Sequence, residues 1–436
     1  MSNFPDIRIL AEDFRAVNHA DIIINGITVV AGENGSGKSS ISKLLYFLYR
    51  TVADYDRIVA RELRGSLADV SRFLEIIAQE TRYYDKGLDF RGEVVELRKA
   101  LLNTEDLKGE MRRWIEVVEQ IQKFLSATEW VKNPDRLTPR NSGRFRHILG
   151  DLLNIDYKEE DMDESFEKVK NIIIKNFRKA IDTIELRPTS LFTEELRRVF
   201  IEGSLPGKFE VQEYGDLIVA LTKKNLSIPY SIQNAIYLDT PMMLHSEASN
   251  NVHWDDLEEL LQKKGNGNHL VADLINSEII QGDVYSDDVL YSTDEFKFKR
   301  VDGEVFGLLD VATGIKSFSI LQILLKNGTI TDKTLLILDE PESNLHPQWI
   351  IEYARIIVLL NKQLGIKFFL ATHNPDMVSA IRYISEKEGV LDGTNFYLAQ
   401  KVDGKFKYNY TFLDKEIDPI FESFNIALER INKYGI

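Results

Sequence analysis

A chain of 436 residues, 44% apolar and 28% charged, is long enough for two domains and has the composition of a soluble globular protein. It contains no cysteine, which excludes disulfides, thiolate zinc sites and cysteine nucleophiles, and its formal net charge of −15 argues against a surface built to coat nucleic acid, which needs clustered Lys and Arg. No run approaches the roughly 20 apolar residues of a membrane span, and Met1-Ser-Asn-Phe-Pro-Asp lacks signal-peptide character, so no membrane contact and a cytoplasmic location are expected.

The first element with chemistry in it is Gly32-Glu33-Asn34-Gly35-Ser36-Gly37-Lys38-Ser39-Ser40. It stands between an apolar run, Ile22 to Val30, and an amphipathic run carrying Ile41, Leu44, Leu45 and Leu48. Strand, loop and helix follow in the order a phosphate-binding P-loop requires. Glycines let the backbone turn its N–H groups toward phosphate oxygens, and the positive end of the following helix dipole adds to the attraction. Lys38 is placed to reach the β and γ phosphates of ATP, and the Ser39 hydroxyl to ligate Mg2+. A merely flexible Gly/Ser turn is the bland alternative, and the flanking strand and helix count against it.

From about 49 to 198 the pattern is helix after helix. Leu67, Val70, Phe73, Leu74 and Ile77 recur at helical spacing, as do Trp114, Ile115, Val118, Ile121 and Leu125, and then Val169, Ile172, Ile173 and Phe177. No unbroken heptad run occurs, so a compact helical insertion is expected and a long coiled coil is not. Within it, Lys132, Arg136, Arg140, Arg144 and Arg146 form the most basic stretch, interrupted by Pro134, Pro139 and Gly143. It could contact nucleic acid, lie in a solvated loop, or dock an acidic partner such as the segment from Asp156 to Glu167.

After Leu205-Pro206-Gly207, the runs Phe209 to Tyr214 and Leu217 to Leu221 predict a hairpin turning at Gly215-Asp216. Ala235 to Leu238 reads as a core strand, and short helices are expected near Asp255 to Leu261 and Leu270 to Ile275. Asp283 to Tyr291 and Glu295 to Arg300 predict β-ribbons. Leu335-Leu336-Ile337-Leu338-Asp339-Glu340 then reads as a central parallel strand delivering two acids to the carboxyl edge of a sheet, where open α/β sheets bind ligands. There Asp339 would hold the magnesium through water, and Glu340 would polarise the attacking water. Alone, this strand end fits a solvated acidic turn as well; the P-loop decides between the two. Lys367 to Thr372 is a further apolar strand, ending at His373, which either senses the γ-phosphate or is a satisfied structural histidine. Asn395 to Gln400 and Lys405 to Tyr410 predict a last hairpin, and a final helix carries the stripe Ile420, Phe421, Phe424, Ala427, Leu428 and Ile431, fit for core or for a partner.

These pieces resemble the ABC-type ATPase heads of Rad50, RecF and SMC proteins, and among them the OLD-like branch of AAA-type ATPases. Asp339-Glu-Pro-Glu-Ser-Asn-Leu-His-Pro347 is similar to that branch's Walker B and D-loop, and Asp13-Phe14-Arg15 to its opening turn. Ala312-Thr313-Gly314-Ile315-Lys316-Ser317-Phe318 stands where the ABC signature belongs, with Ile315 and Lys316 departing from the transporter pattern. The resemblance covers residues 6 to 51 and 278 to 413. It implies an α/β fold: an ABC-type P-loop head with a mixed sheet, flanking helices and β-ribbons, and an inserted helical subdomain. The division expected is 1–51, the head's first part; 52–205, the insertion; and 206–436, the rest of the head.

The resemblance further implies a head-to-tail homodimer, in which Thr313, Gly314 and Lys316 of one head cap the ATP bound at the other head's P-loop. Hydrolysis would use Glu340, Lys38 and His373, with Mg2+ at Ser39 and Asp339. No Q-loop glutamine is evident; Gln233, Asp239 and Thr240 are candidates. No nuclease domain is expected after the ATPase motifs. By the same resemblance, the chain looks like the stand-alone ATPase subunits of anti-phage systems such as Septu and PARIS, which act with a separate nuclease effector. A DNA-maintenance ATPase like RecF, and a scaffold that binds ATP without hydrolysing it, are the competing expectations.

Overall fold

The protein is described by a computed structural model for residues 6–84, 90–101, 106–127, 150, 162–200, 205–239, 252–265, 267, 269–286 and 296–422. The basic stretch Lys132, Arg136, Arg140, Arg144 and Arg146 lies outside the described residues, as do Thr240 and the part of the final helix beyond 422. The chain divides into two compact units, Met1–Ala53 with Thr189–Ile436, and Asp54–Pro188.

The first unit opens with β1 (Ile7–Phe14), β2 (Val17–Ile24), β3 (Ile27–Gly32) and α1 (Lys38–Ala53). The second unit is helical throughout its described residues: α2 (Tyr55–Ser66), α3 (Ala68–Tyr84), α4 (Phe90–Ala100), α5 (Leu107–Ala127) and α6 (Met162–Leu186). Its core follows the helical spacing of the sequence: Trp114, Val118 and Ile121 of α5 and Val169, Ile173 and Phe177 of α6 are buried. The Trp114 and Phe177 rings meet edge to face at 6.3 Å.

The chain then returns to the first unit through α7 (Thr189–Val199), β4 (Lys208–Glu213), β5 (Asp216–Ala220), β6 (Asn234–Leu238), α8 (Val252–Leu261) and α9 (His269–Leu274). A π-helical turn, Ile275–Ile280, leads into a three-stranded ribbon of β7 (Gly282–Ser286), β8 (Phe296–Arg300) and β9 (Val305–Gly307). After it come α10 (Thr313–Lys326), β10 (Thr334–Asp339), α11 (Pro347–Leu364), β11 (Lys367–Thr372), α12 (Pro375–Glu388), β12 (Thr394–Lys401) and β13 (Tyr408–Asp414).

Ten strands form one mixed sheet in the order β5-β4-β1-β2-β13-β12-β3-β11-β10-β6. Its functional half, β12, β3, β11, β10 and β6, is parallel. The sequence requires this, because β3 and β10 are buried along their whole length and such runs are stable only when both faces are covered. β1 and β2 instead alternate in burial and pair antiparallel. The β4–β5 turn falls at Tyr214-Gly215, one residue earlier than its composition suggests, since those two residues carry the positive φ angles of 50° and 89° that a tight two-residue hairpin needs.

Two helix starts fix the loops that follow β10 and β11. His346 caps α11, its Nδ1 accepting from the Gln348 N–H at 3.4 Å, and Pro347 takes the first helical position. Asn374 caps α12 by accepting from Asp376 and Met377, again followed by proline. At the start of α10, a Cβ on Gly314 would lie 2.5 Å from the Trp349 ring and 3.2 Å from Leu345 Cδ2. Trp349 in turn stands edge-on to Phe318 at 5.8 Å. Gly314→Ala must therefore push the Trp349 ring off its seat; it is expected to lower stability by about 1–3 kcal/mol in denaturant unfolding and to shift indole fluorescence. An unchanged midpoint and spectrum would show that the ring gives way freely.

Candidate nucleotide site

The P-loop is shaped by two glycines with positive φ, Gly35 at 82° and Gly37 at 92°, a region costly for residues with a Cβ. Gly37 also lacks space, since a Cβ there would come within 2.8 Å of Val17 Cγ2, and one on Gly32 within 2.9 Å of Ala399 Cβ. The backbone thus runs against the β1–β2 turn and against β12. A cleft of about 430 Å³ is lined by Asn34, Gly35, Ser36, Gly37, Lys38, Ser39 and Ser40 together with Arg15, Ala16 and Glu340. That volume lies in the range of small-ligand sites.

Lys38 is almost fully buried, and its Nζ donates to the carbonyls of Gly32 and Glu33 at 2.8 and 3.0 Å. Burial pushes its pKa down, opposed by the nearby charges of Glu340, Asp339, Glu342 and Glu33. Across the sheet, the Ser39 hydroxyl donates to Asp339 Oδ1 at 3.1 Å, closing a separation of 300 residues. Asp339 Oδ2 accepts from the Tyr237 hydroxyl at 2.7 Å. Desolvation holds Asp339 above the usual carboxylate range, while these two hydrogen bonds pull it back.

Glu340 follows immediately with a left-handed φ of 52°, its N–H bonded to Ala371 O at 2.8 Å. A glutamate in that conformation is strained by about 1–3 kcal/mol, and here the bend carries its side chain off the strand line and into the cleft. β11 lies between β3 and β10, so its carboxyl end brings His373 beside the two acids. His373 Nδ1 is 3.3 Å from Glu340 Oε1 and 3.6 Å from Glu342 Oε1. Glu342 is buried beneath them, accepting from the Thr372 hydroxyl at 2.6 Å and from the His373 N–H at 3.1 Å.

The structure therefore brings Gly35 to Ser40, Asp339, Glu340 and His373 to one edge of the sheet. Thr313, Gly314 and Lys316, at the start of α10, do not line this cleft. Gln233 spends its N–H on Lys333 O at the beginning of β6, at the opposite end of that strand from the acids. Asp239, just beyond the last paired residues Leu238 and Leu338, stands at the acid-bearing end. Tyr237 and Glu342 are functional neighbours that sequence reasoning did not single out. Glu342 had a signal, being the third acid of Asp339-Glu-Pro-Glu; Tyr237 had none beyond its place in a core strand.

The residues present fit a magnesium-bound triphosphate. The Ser36 hydroxyl is buried with no hydrogen-bond partner, and Gly35, which lines the cleft, has open space where a Cβ would stand. Against Lys38 and Arg15 stand Asp339, Glu340 and Glu342, so a bound phosphate chain would be helped by a cation of its own. Among the described residues no group of three or more His, Asp or Glu forms a metal cage.

Residues 242–379 match the protein-family model described as AAA domain, putative AbiEii toxin, Type IV TA system. The match spans Asp339, Glu340, His373 and the segment with Thr313, and leaves the P-loop outside. It supports an AAA-type ATPase domain. No curated protein matches the chain. Among solved structures the chain is similar to an SMC head domain from Thermotoga maritima, at 11% identity and a TM-score of 0.35, over 93% of this chain and 98% of that one. It is also similar to an Smc head domain with an extended coiled coil, derived from Pyrococcus furiosus and bound to the C-terminal domain of ScpA. There the identity is 13% and the TM-score 0.31, over 98% of each chain.

Asp339 and Glu342 are both raised, chiefly by burial. A carboxyl with a raised native pKa binds its proton more tightly when folded, so stability is highest below the usual carboxylate range and falls as pH rises through the native values. Asp339→Asn removes that cost. It should stabilise the nucleotide-free protein at neutral pH by about 0.5–2 kcal/mol, read as a higher melting temperature, and narrow the gap between acidic and neutral pH. A lower melting temperature at neutral pH would mean that the hydrogen bonds outweigh the desolvation.

Proposed function

We propose that the chain is an ABC-type ATPase head that binds Mg2+–ATP in the P-loop cleft and hydrolyses it slowly, with ATP governing the association of two heads. The observation that carries this reading is the Ser39–Asp339 hydrogen bond of 3.1 Å, with Glu340 lining the same cleft. Phosphoryl transfer needs positioned charge more than covalent chemistry. Lys38 exchanges its two carbonyl partners for β and γ phosphate oxygens, and the backbone from Gly35 to Ser39 holds the phosphate chain. Ser39 and Asp339 would hold Mg2+, which neutralises charge on the phosphates. Glu340, more than a third exposed, accepts the proton of the attacking water, and His373 beside it orients that water or the γ-phosphate.

Thr313 and Lys316 are partly exposed at the start of α10 and do not line this chain's own cleft. They suit a head-to-tail dimer in which each signature caps the other head's nucleotide, with Gly314 packed against the Trp349 ring beneath them. By the resemblance to Septu- and PARIS-type ATPases, such a dimer acts as sensor and scaffold for a separate effector, a nuclease, in anti-phage defence.

Glu340→Gln tests the core of the proposal. It should lower kcat by about 100- to 10,000-fold while ATP binding is kept, and ATP should then shift the protein to a stable dimer in light scattering. Turnover at the parent rate would remove Glu340 from the role of base. Lys38→Ala should abolish nucleotide binding in the same assay, and retained binding would refute the placement of the phosphates.

A further inference from the structure

We infer that Tyr237 is a positioning residue for the metal-binding carboxylate: its hydroxyl fixes the Asp339 side chain so that one oxygen stays free to serve the cation. The inference rests on the nucleotide reading above and deepens it. Tyr237 lies in β6, directly across from Ile337 of β10, and is 2% exposed. A phenylalanine would fill the same ring space. The added hydroxyl would be costly there if left unpaired, and it is spent on Asp339 Oδ2 at 2.7 Å.

The two hydroxyls on Asp339 are not equivalent. Ser39 belongs to the P-loop helix and holds Oδ1, the oxygen facing the cleft residues; its own oxygen must turn to the cation when one is bound. Tyr237 touches only the far oxygen, so its bond survives that exchange. A lysine or arginine in its place would neutralise the carboxylate and compete with the metal, whereas a neutral hydroxyl orients the group and leaves its charge available.

The Tyr237 ring is packed by two neighbours that also touch each other. The Tyr46 ring of α1 stands 5.8 Å away, its hydroxyl donating to Asp256 at 2.5 Å. Asp256 also receives Arg50, one turn along α1. The His253 ring meets Tyr237 edge-on at 4.9 Å and lies 6.4 Å from the Tyr46 ring, and its Nε2 donates to Asp239 Oδ2 at 3.2 Å. The P-loop helix and α8 thus meet the tyrosine in one aromatic cluster, which restricts where its oxygen points.

The test is a magnesium titration of the full chain with a fluorescent ribose-labelled ATP, first in EDTA and then with rising MgCl2. Tyr237→Phe should leave binding in EDTA unchanged and raise the Mg2+ concentration at half-effect by about tenfold or more, the usual cost of losing an outer-shell partner. His253→Leu keeps the hydroxyl but removes the ring packed edge-on against Tyr237, and should raise the midpoint less. In an Asp339→Asn background, adding Tyr237→Phe should change nothing further. An unchanged Mg2+ midpoint in both single variants, lost binding in EDTA, or additive effects with Asp339→Asn would each overturn the inference. If the parent protein itself binds no nucleotide or ignores Mg2+, the nucleotide reading falls and the inference falls with it.

Discussion

The arrangement turns on a shortage of positive charge in a dry place. Lys38 is the buried cation of the cleft, and around it stand Asp339, Glu340 and Glu342, two of them buried and held above the usual carboxylate range. Unbalanced charges of this kind weaken a fold, and hydroxyls and backbone N–H groups offset the cost only in part. Under the proposed reading, a divalent cation at Asp339 would supply positive charge beside these carboxylates, while the phosphates would be met by Lys38 and backbone N–H groups, and such binding would stabilise the fold by mass action.

Sheet order converts that chemistry into position. Because β11 is interposed between β3 and β10, the groups at three neighbouring carboxyl ends differ in kind: phosphate loop, histidine, acid pair. Hydrogen bonds tie the ends together across the interposed strand. Glu342 reaches Thr372 and the His373 N–H from the loop after β10, and Glu340 is anchored by its N–H on Ala371.

The parts legible in the sequence are those whose meaning is local. Gly35, Gly37, Lys38 and Ser39 are contiguous, and the unbroken apolar runs of β3, β10 and β11 declare buried parallel strands by their composition alone. The mixed α/β fold followed from them. What was not legible depended on register between distant segments. Tyr237 matters because β6 pairs with β10 at a register that sets its hydroxyl beside Asp339, and nothing within Asn234 to Leu238 announces the pairing. Glu342 lay in plain view in an acidic motif, yet its burial comes from Thr372, 30 residues on. The hairpin turn was displaced by one residue because Tyr214, with no turn propensity of its own, adopts a positive φ.

Gly314 has no side chain, and the Trp349 ring occupies the place one would have filled. A side chain there would have no room, so the first turn of α10 packs directly on the first turn of α11. The short loop from Glu340 to Leu345 leads from the acid end of β10 to that packing. In the proposed head-to-tail pair, one short loop would thus join the acids of each cleft to the residues set against the other head's nucleotide.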